Sequence, residues 1–169
     1  MVKVIGALLV LSAAGGFGIS RAVGFYRQVR LLQDFCSVLE ILKCELNYTM
    51  TPLPTLCRVT AKRTSGAAAA FLVSYAMAVE QGIPRSRAAS AAMDGTKGLK
   101  LPSDAEMALL ELFGTLGRYD LDGENRLLAA TSQRLKSASD RFEAEKRPLA
   151  KGYALLGLCA GVALVILFI

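Results

Sequence analysis

The chain has no histidine, so the side chain most often used as general base and metal ligand is missing. Its four cysteines, Cys36, Cys44, Cys57 and Cys159, form no CxxC pair and show no metal-ligand spacing. They read as small buried hydrophobes in a reducing compartment rather than as a disulfide framework. No GxxxxGK[ST] occurs, and the glycines of AAGGFG lie inside an apolar run instead of between a strand and a helix, which argues against a phosphate loop. No stretch alternates with period two and no hairpin dipeptide separates apolar runs, so nothing reads as a sheet. No catalytic residue, metal or cofactor is expected, and the chain does not read as an enzyme.

Uncharged runs are what the chain has instead. Apolar residues make up 53% of it, and the excess sits at the two ends. Gly152 to Ile169, GYALLGLCAGVALVILFI, is 18 residues without a charged side chain. As a helix it reaches about 27 Å, against a bilayer core of about 30 Å. At the other end VIGALLVLSAAGGFGIS, from Val4 to Ser20, is 17 uncharged residues. Helices hydrophobic on every side belong in membranes or large cores, and this chain is too small for the latter. The first run has a rival reading as a cleaved secretory signal peptide, with Lys3, the apolar Val4 to Leu11, and Ser12-Ala13-Ala14 as the cleavage site.

Charge placement bears on that choice. Arg21, Arg27 and Arg30 follow the first run, and Arg141, Lys146, Arg147 and Lys151 precede the second, against Lys3 alone on the far side. Lysine and arginine near membrane segments stay on the cytoplasmic side. The expected arrangement is a membrane helix at 1–20, a cytoplasmic domain at 21–151 and a second membrane helix at 152–169, with both termini outside. Gly157 and Gly161 form a GxxxG, and Ser12/Gly16 and Ala14/Gly18 repeat small residues at that spacing. These positions are candidates for close packing of membrane helices.

Between the two runs the periodicity is helical. Leu31, Phe35, Val38, Leu42 and Leu46 form one stripe. Thr51-Pro52-Leu53 reads as a helix start with threonine as cap, and Leu53, Leu56, Cys57 and Thr60 as its inner face. Phe71, Leu72, Tyr75 and Val79 mark a helix over about 66–81, closed by Gly82. Pro84 opens a short alanine-rich helix that stops in DGTKG. Ser103-Asp-Ala-Glu106 has the spacing of a capping box and leads into Leu109, Leu112, Phe113 and Leu116, closing at Gly117. The last helix begins near Asp122 and carries Leu128, Leu135, Ala138, Phe142 and Leu149, with a kink expected at Pro148. The fold class is all-α: a bundle of about six helices flanked by membrane helices.

Asp120, Asp122 and Glu124 form the one tight acidic cluster. They lack the length and spacing of a calcium loop and read as a turn followed by carboxylates at a helix N-terminus. The net charge of +6 is not gathered on a patch, and no aromatics interleave with the basic residues, so nucleic acid is not an expected partner. The basic residues beside the two apolar runs suit topology and anionic lipid heads.

One stretch is more specific. Glu45-Leu-Asn-Tyr48-Thr-Met-Thr51-Pro52-Leu53 resembles the E-I-x-Y-x-x-T-P-L signature of the stage III sporulation protein AB family. Leu116-Gly117-x-x-Asp120 fits that family's L-G-x-x-D turn, and YALLGLCAGVALVILFI is similar to its closing span. Length, two-ended hydrophobicity and motif order agree over essentially the whole chain. Three features depart: there is no tryptophan, Glu124 stands where glutamine is usual, and Pro148 lies near the final span.

The resemblance implies a fold similar to the cytoplasmic domains of type II secretion and type IV pilus platform proteins, which are six-helix bundles without catalytic activity. It further implies a place in the channel between mother cell and forespore, with the bundle facing the cytoplasm on the mother-cell side and the choice between the two apposed membranes left open. The implied partners are the sporulation ATPase, stage III sporulation protein AA, and other channel-complex membrane subunits, with self-association left open. Glu45 and Tyr48 lie one helical turn apart. They and Thr51, Pro52, Leu53, Leu116, Gly117 and Asp120 are candidates either for building a helical corner or for touching a partner. The alternative function is an exported, membrane-anchored interaction domain with a cleaved leader.

Overall fold

A computed structural model describes residues 24, 26–48 and 51–145 in full, and 2–23, 25 and 146–168 as helical backbone only. Six helices and no strand occur among the described residues: α1 (Val2–Tyr48), α2 (Leu53–Arg63), α3 (Gly66–Glu80), α4 (Arg85–Gly95), α5 (Ser103–Thr115) and α6 (Leu121–Phe168). The chain divides into two compact units. One comprises Met1–Val29 with Arg141–Ile169, and the other is Arg30–Asp140.

Among the described residues no helix is long and apolar enough to cross a membrane. The spans expected at 1–20 and 152–169 lie outside the fully described residues. So do Gly157, Gly161, Cys159, Leu149 and the kink expected at Pro148.

The Arg30–Asp140 unit is held by one apolar core drawn from all six helices. From α1 come Leu31, Leu32, Phe35, Val38, Leu39 and Leu42, with Leu46 partly buried; α6 adds Leu128 and Leu135. The stripe therefore widens beyond the heptad-like positions, as a helix with neighbours on two sides requires. In sequence order α2 packs on α3, α3 on α4, and α4 on α5. At the centre stand four rings. Phe35 meets Phe71 edge-on at 5.7 Å, and Phe113 meets Phe71 at 4.9 Å and Tyr75 at 5.0 Å. Such T-shaped contacts add about 0.5–1.5 kcal/mol each beyond the area they bury.

Three helices begin in the same way. Pro52, Pro84 and Pro102 each sit at the N-cap with φ between −59° and −53° and ψ between 135° and 145°. Their carbonyls accept the first helical bonds, from Leu56 at 3.0 Å, Ala88 at 2.8 Å and Glu106 at 3.0 Å. Proline ends whatever precedes it, because it lacks an N–H and restricts the residue before it, yet its own φ is ready for the next helix.

This corrects two expectations. Thr51 is not the cap of α2, and Ser103 does not open a capping box, since neither start has a side-chain cap bond. Were Thr51 the cap, the third helical residue would be Pro54, which has no N–H to offer it. Ser103 is already helical, one position too late for the box. The close of α3 follows expectation: Gly82 (φ 79°) turns left-handed while its N–H reaches Val79 O at 3.0 Å and the Ile83 N–H reaches Ala78 O at 3.1 Å. That is a Schellman ending, which a Cβ would strain.

Candidate functional site

The turn between α5 and α6 is built around a buried carboxylate. Gly117 has φ 81°, a left-handed conformation that costs a side-chain-bearing residue roughly 1–2 kcal/mol. It turns three successive N–H groups toward one point. Oε1 of Glu124 accepts from Gly117 at 2.8 Å, Arg118 at 3.0 Å and Tyr119 at 3.0 Å. Such a concave run of amides is an anion nest, filled here by a side chain of the same chain.

Asp120 completes the turn. Its carboxylate accepts the Gly123 N–H at 3.1 Å and its carbonyl accepts the Glu124 N–H at 2.9 Å, which makes it the N-cap of α6. The acidic cluster thus does what its pattern suggested at Asp120. Glu124 goes further, reaching back across the turn rather than merely sitting near a helix end.

Glu124 also redirects the end of α5. One more helical turn would give the Gly117 N–H to the carbonyl of Phe113. Glu124 takes that N–H, and the buried hydroxyl of Tyr75 donates to the Phe113 carbonyl at 2.6 Å. Carboxylate and phenol share between them a bond the backbone no longer makes. Burial pushes the Tyr75 phenol well above its ordinary range; the Cys57 thiol and Glu124 act in the same direction, and the Arg85 guanidinium acts against. Burial likewise pushes the Cys57 thiol up to about 12.

The two short motifs singled out in the sequence meet here. A methyl group placed on Gly117 would lie 3.8 Å from Leu53 Cδ2 and 3.6 Å from Arg85 Nη2. Reciprocal amide bonds of 3.1 Å and 2.9 Å tie Asn47, near the end of α1, to Asn125 in the first turns of α6. Between these elements lies a cavity of about 360 Å³, lined by Leu46, Asn47, Tyr48, Thr51, Tyr119, Leu121 and Glu124. Tyr48 is 86% exposed, Tyr119 58% and Leu121 47%. Three large apolar side chains around one hollow is more than the scatter a surface normally carries.

Not every signature residue belongs to the hollow. Glu45 faces α2, where its carboxylate pairs with Arg63 at 2.6 Å. Pro52 caps α2, Leu116 is buried in the core, and Gly117 and Asp120 shape the turn. Of the first motif, Leu46, Asn47, Tyr48 and Thr51 line the cavity. Sequence reasoning passed over Tyr119, Leu121, Asn47 and Asn125, none of which has a local pattern to mark it. A glutamate seven residues past a left-handed glycine was the available clue to Glu124.

The turn also holds an unsatisfied polar group. Glu124 is 3% exposed, and its second carboxylate oxygen, Oε2, has no hydrogen-bond partner among the described residues. A buried charged oxygen left without a donor costs about 1–3 kcal/mol or more. Among the described residues no group of three or more cysteine, aspartate or glutamate side chains is placed to hold a metal ion. The arrangement offers an aromatic-rimmed hollow beside a buried carboxylate.

No curated protein matches the chain. A solved structure of stage III sporulation protein AB is similar in fold, with a TM-score of 0.64 at 18% identity, covering 72% of this chain and 98% of that one. The sequence model described as stage III sporulation protein AB matches residues 3–169. With the match running through the E-x-x-Y-x-x-T-P-L helix end and the L-G-x-x-D turn that meet at this corner, the chain belongs to the stage III sporulation protein AB family.

Proposed function

We propose that the chain is a non-enzymatic platform subunit of the sporulation channel complex that links mother cell and forespore. In this reading the helices at 1–20 and 152–169 cross the mother-cell membrane. They hold the bundle at its cytoplasmic face, in the manner of a secretion or pilus platform. The bundle positions or docks the sporulation ATPase, stage III sporulation protein AA, beside other membrane subunits of the channel.

Family membership supports the sporulation setting. The observation that carries the docking role is the corner itself. Tyr48, Tyr119 and Leu121 stand exposed around a hollow on a rigid frame of Gly117, Asp120 and Glu124. Exposed aromatics on a fixed scaffold are the usual make-up of a protein contact.

The test is purification of the tagged full chain from detergent-solubilised membranes of sporulating cells. The ATPase is expected to co-purify, and deletion of the chain is expected to block sporulation. Absence of both association and sporulation defect refutes the role. Sequencing the N-terminus of the mature chain tests topology in the same preparation, since a start near Gly15 would mean a cleaved leader and an exported bundle.

A further inference from the structure

We propose that α3 pairs with α3 of a second copy of this chain, antiparallel across a two-fold axis beside Val73. No residue of α3 lines the hollow used in the platform reading. Only the strength of the contact rests on the membrane placement proposed above.

The first observation is that α3 is a surface helix without a charged side. From Gly66 to Val79 it carries no charged residue, whereas a helix at the edge of a bundle normally turns charged side chains to water. Its buried face, Ala68, Phe71, Leu72, Tyr75 and Ala76, enters the core, and α2 and α4 pack on it. The stripe of Gly66, Ala70, Val73 and Met77, at helical spacing, stays exposed. Val73 is 42% exposed and Met77 49%. Large apolar side chains aligned along three open turns mark a contact surface.

Size along that stripe names the occupant. Its first half is small, Gly66 and Ala70, and its second half is large, Val73 and Met77. An antiparallel copy reverses the order. Met77 of each chain then fills the shallow place over Ala70 of the other, and the two Val73 side chains meet at the axis. A two-fold pair needs one patch that complements itself, and this one does. Parallel pairing would instead set Met77 on Met77 and leave Gly66 facing Gly66.

Charge follows the same order. Glu80 continues the stripe at the C-terminal end of α3, where it pairs with Arg58 of α2 and remains exposed. The N-terminal end is short of negative charge. Ser65 makes no side-chain cap bond, and the first turn holds no acidic residue. Lys62, three residues before Ser65, is exposed and has no ion pair among the described residues. Antiparallel pairing brings the Glu80 of each copy to the positive end of the other's α3, where a carboxylate is stabilised.

Other occupants fit less well. Helices that lie on lipid carry lysine or arginine along the polar side and aromatic anchors on the apolar one. α3 has no basic residue, and its aromatics, Phe71 and Tyr75, are buried. The strip is also small, since three turns of one helix cover well below the about 800 Å² per partner of a stable complex. A freely diffusing partner would not stay on it. Two copies confined to one membrane do, because confinement raises their effective concentration.

The experiment co-expresses two differently tagged full-length copies in sporulating cells, one with Ala70→Cys and the other with Met77→Cys. Both carry Cys44→Ser and Cys159→Ser, and the same parent without an engineered cysteine sets the background. Membranes are oxidised with copper phenanthroline. A disulfide between the two tags is expected, with none from Ala70→Cys alone or Met77→Cys alone, because like positions lie roughly 10 Å apart along an antiparallel pair. Val73→Glu in both copies is expected to lower the adduct about tenfold or more, since like charges then meet at the axis. Val73→Glu in one copy and Val73→Lys in the other restore it. Val73 is exposed, so the melting temperature followed by circular dichroism should not move. If Val73→Glu does perturb the bundle, rescue by the mixed pair keeps the test decisive.

Adducts between like positions, adducts to another protein in place of the second copy, no adduct, or a yield indifferent to charge at Val73 overturn the proposal. Its failure is separable from that of the platform role. If the ATPase co-purifies and no Ala70–Met77 adduct forms, self-pairing falls by itself. If the adduct forms and the ATPase never co-purifies, the pairing stands and the ATPase role falls.

Discussion

Removing the carboxylate of Glu124 strips three N–H groups of their acceptor at once. A hydrogen bond to a charged group contributes about 1.5–3 kcal/mol where water cannot replace it. Gly117, Arg118 and Tyr119 are all exposed, so solvent recovers much of the loss, and Glu124→Ala is expected to cost about 2–4 kcal/mol in total. In a unit of this size that lowers the melting temperature by on the order of 10 °C. Glu124→Gln keeps a carbonyl oxygen for the three amides and gives up only the charge assistance, a cost of about 1 kcal/mol. Asp122→Asn, on an exposed side chain in the same helical turn, serves as control and should stay within about 0.5 kcal/mol. Thermal and urea unfolding of the full-length chain, followed by far-ultraviolet circular dichroism, reads all three. If alanine is as well tolerated as the control, or glutamine is as damaging as alanine, the three-amide cradle does not organise the turn.

Gly117→Ala is expected to lose about 1–2 kcal/mol in urea unfolding from its left-handed backbone alone, because the added Cβ meets its nearest neighbour, Arg85 Nη2, at an ordinary 3.6 Å. Tyr75→Phe leaves the Phe113 carbonyl dry and without its 2.6 Å partner, and should cost about 1–3 kcal/mol by the same assay. Thr51→Ala should change stability by less than about 0.3 kcal/mol, where a working N-cap would lose about 1 kcal/mol. Alkaline titration tests the buried thiol. Cys57 titrates at about 12 in the folded state against an ordinary 9.0, so the neutral thiol's contribution is whole below pH 9. It is lost as pH rises from 9 toward 12, by as much as about 4 kcal/mol, while the unfolded chain ionises first. Cys57→Ala should flatten that fall, and a stability curve of unchanged slope in the variant would refute it.

Helix type and order were readable because their determinants are local. Pro52, Pro84 and Pro102 stop one helix and start the next wherever they stand, and Gly82 and Gly117 permit the left-handed turn that ends one. The core positions Phe35, Leu42, Phe71, Leu72, Tyr75, Leu109 and Leu112 followed from a period of 3.6 residues, since a helix of this length is stable in water only with its apolar face covered. Capping was the local feature misassigned. Thr51 and Ser103 are good caps by residue type, but whether they act depends on which carbonyl opens the helix and whether an N–H lies within reach.

The sequence by itself therefore determined six helices, the prolines and glycines that separate them, and the buried face of all but the alanine-rich fourth. What tertiary structure alone decided was the use of the corner. A glutamate in the first turns of a helix looks the same on paper whether it steadies that helix or reaches back to three amides of the preceding turn. Nothing local joins Tyr75 to Phe113, 38 residues apart, or Asn47 to Asn125. Those pairings, and with them the exposed aromatic hollow beside the Glu124 turn, exist only once the core has packed and brought distant backbone ends within hydrogen-bonding distance.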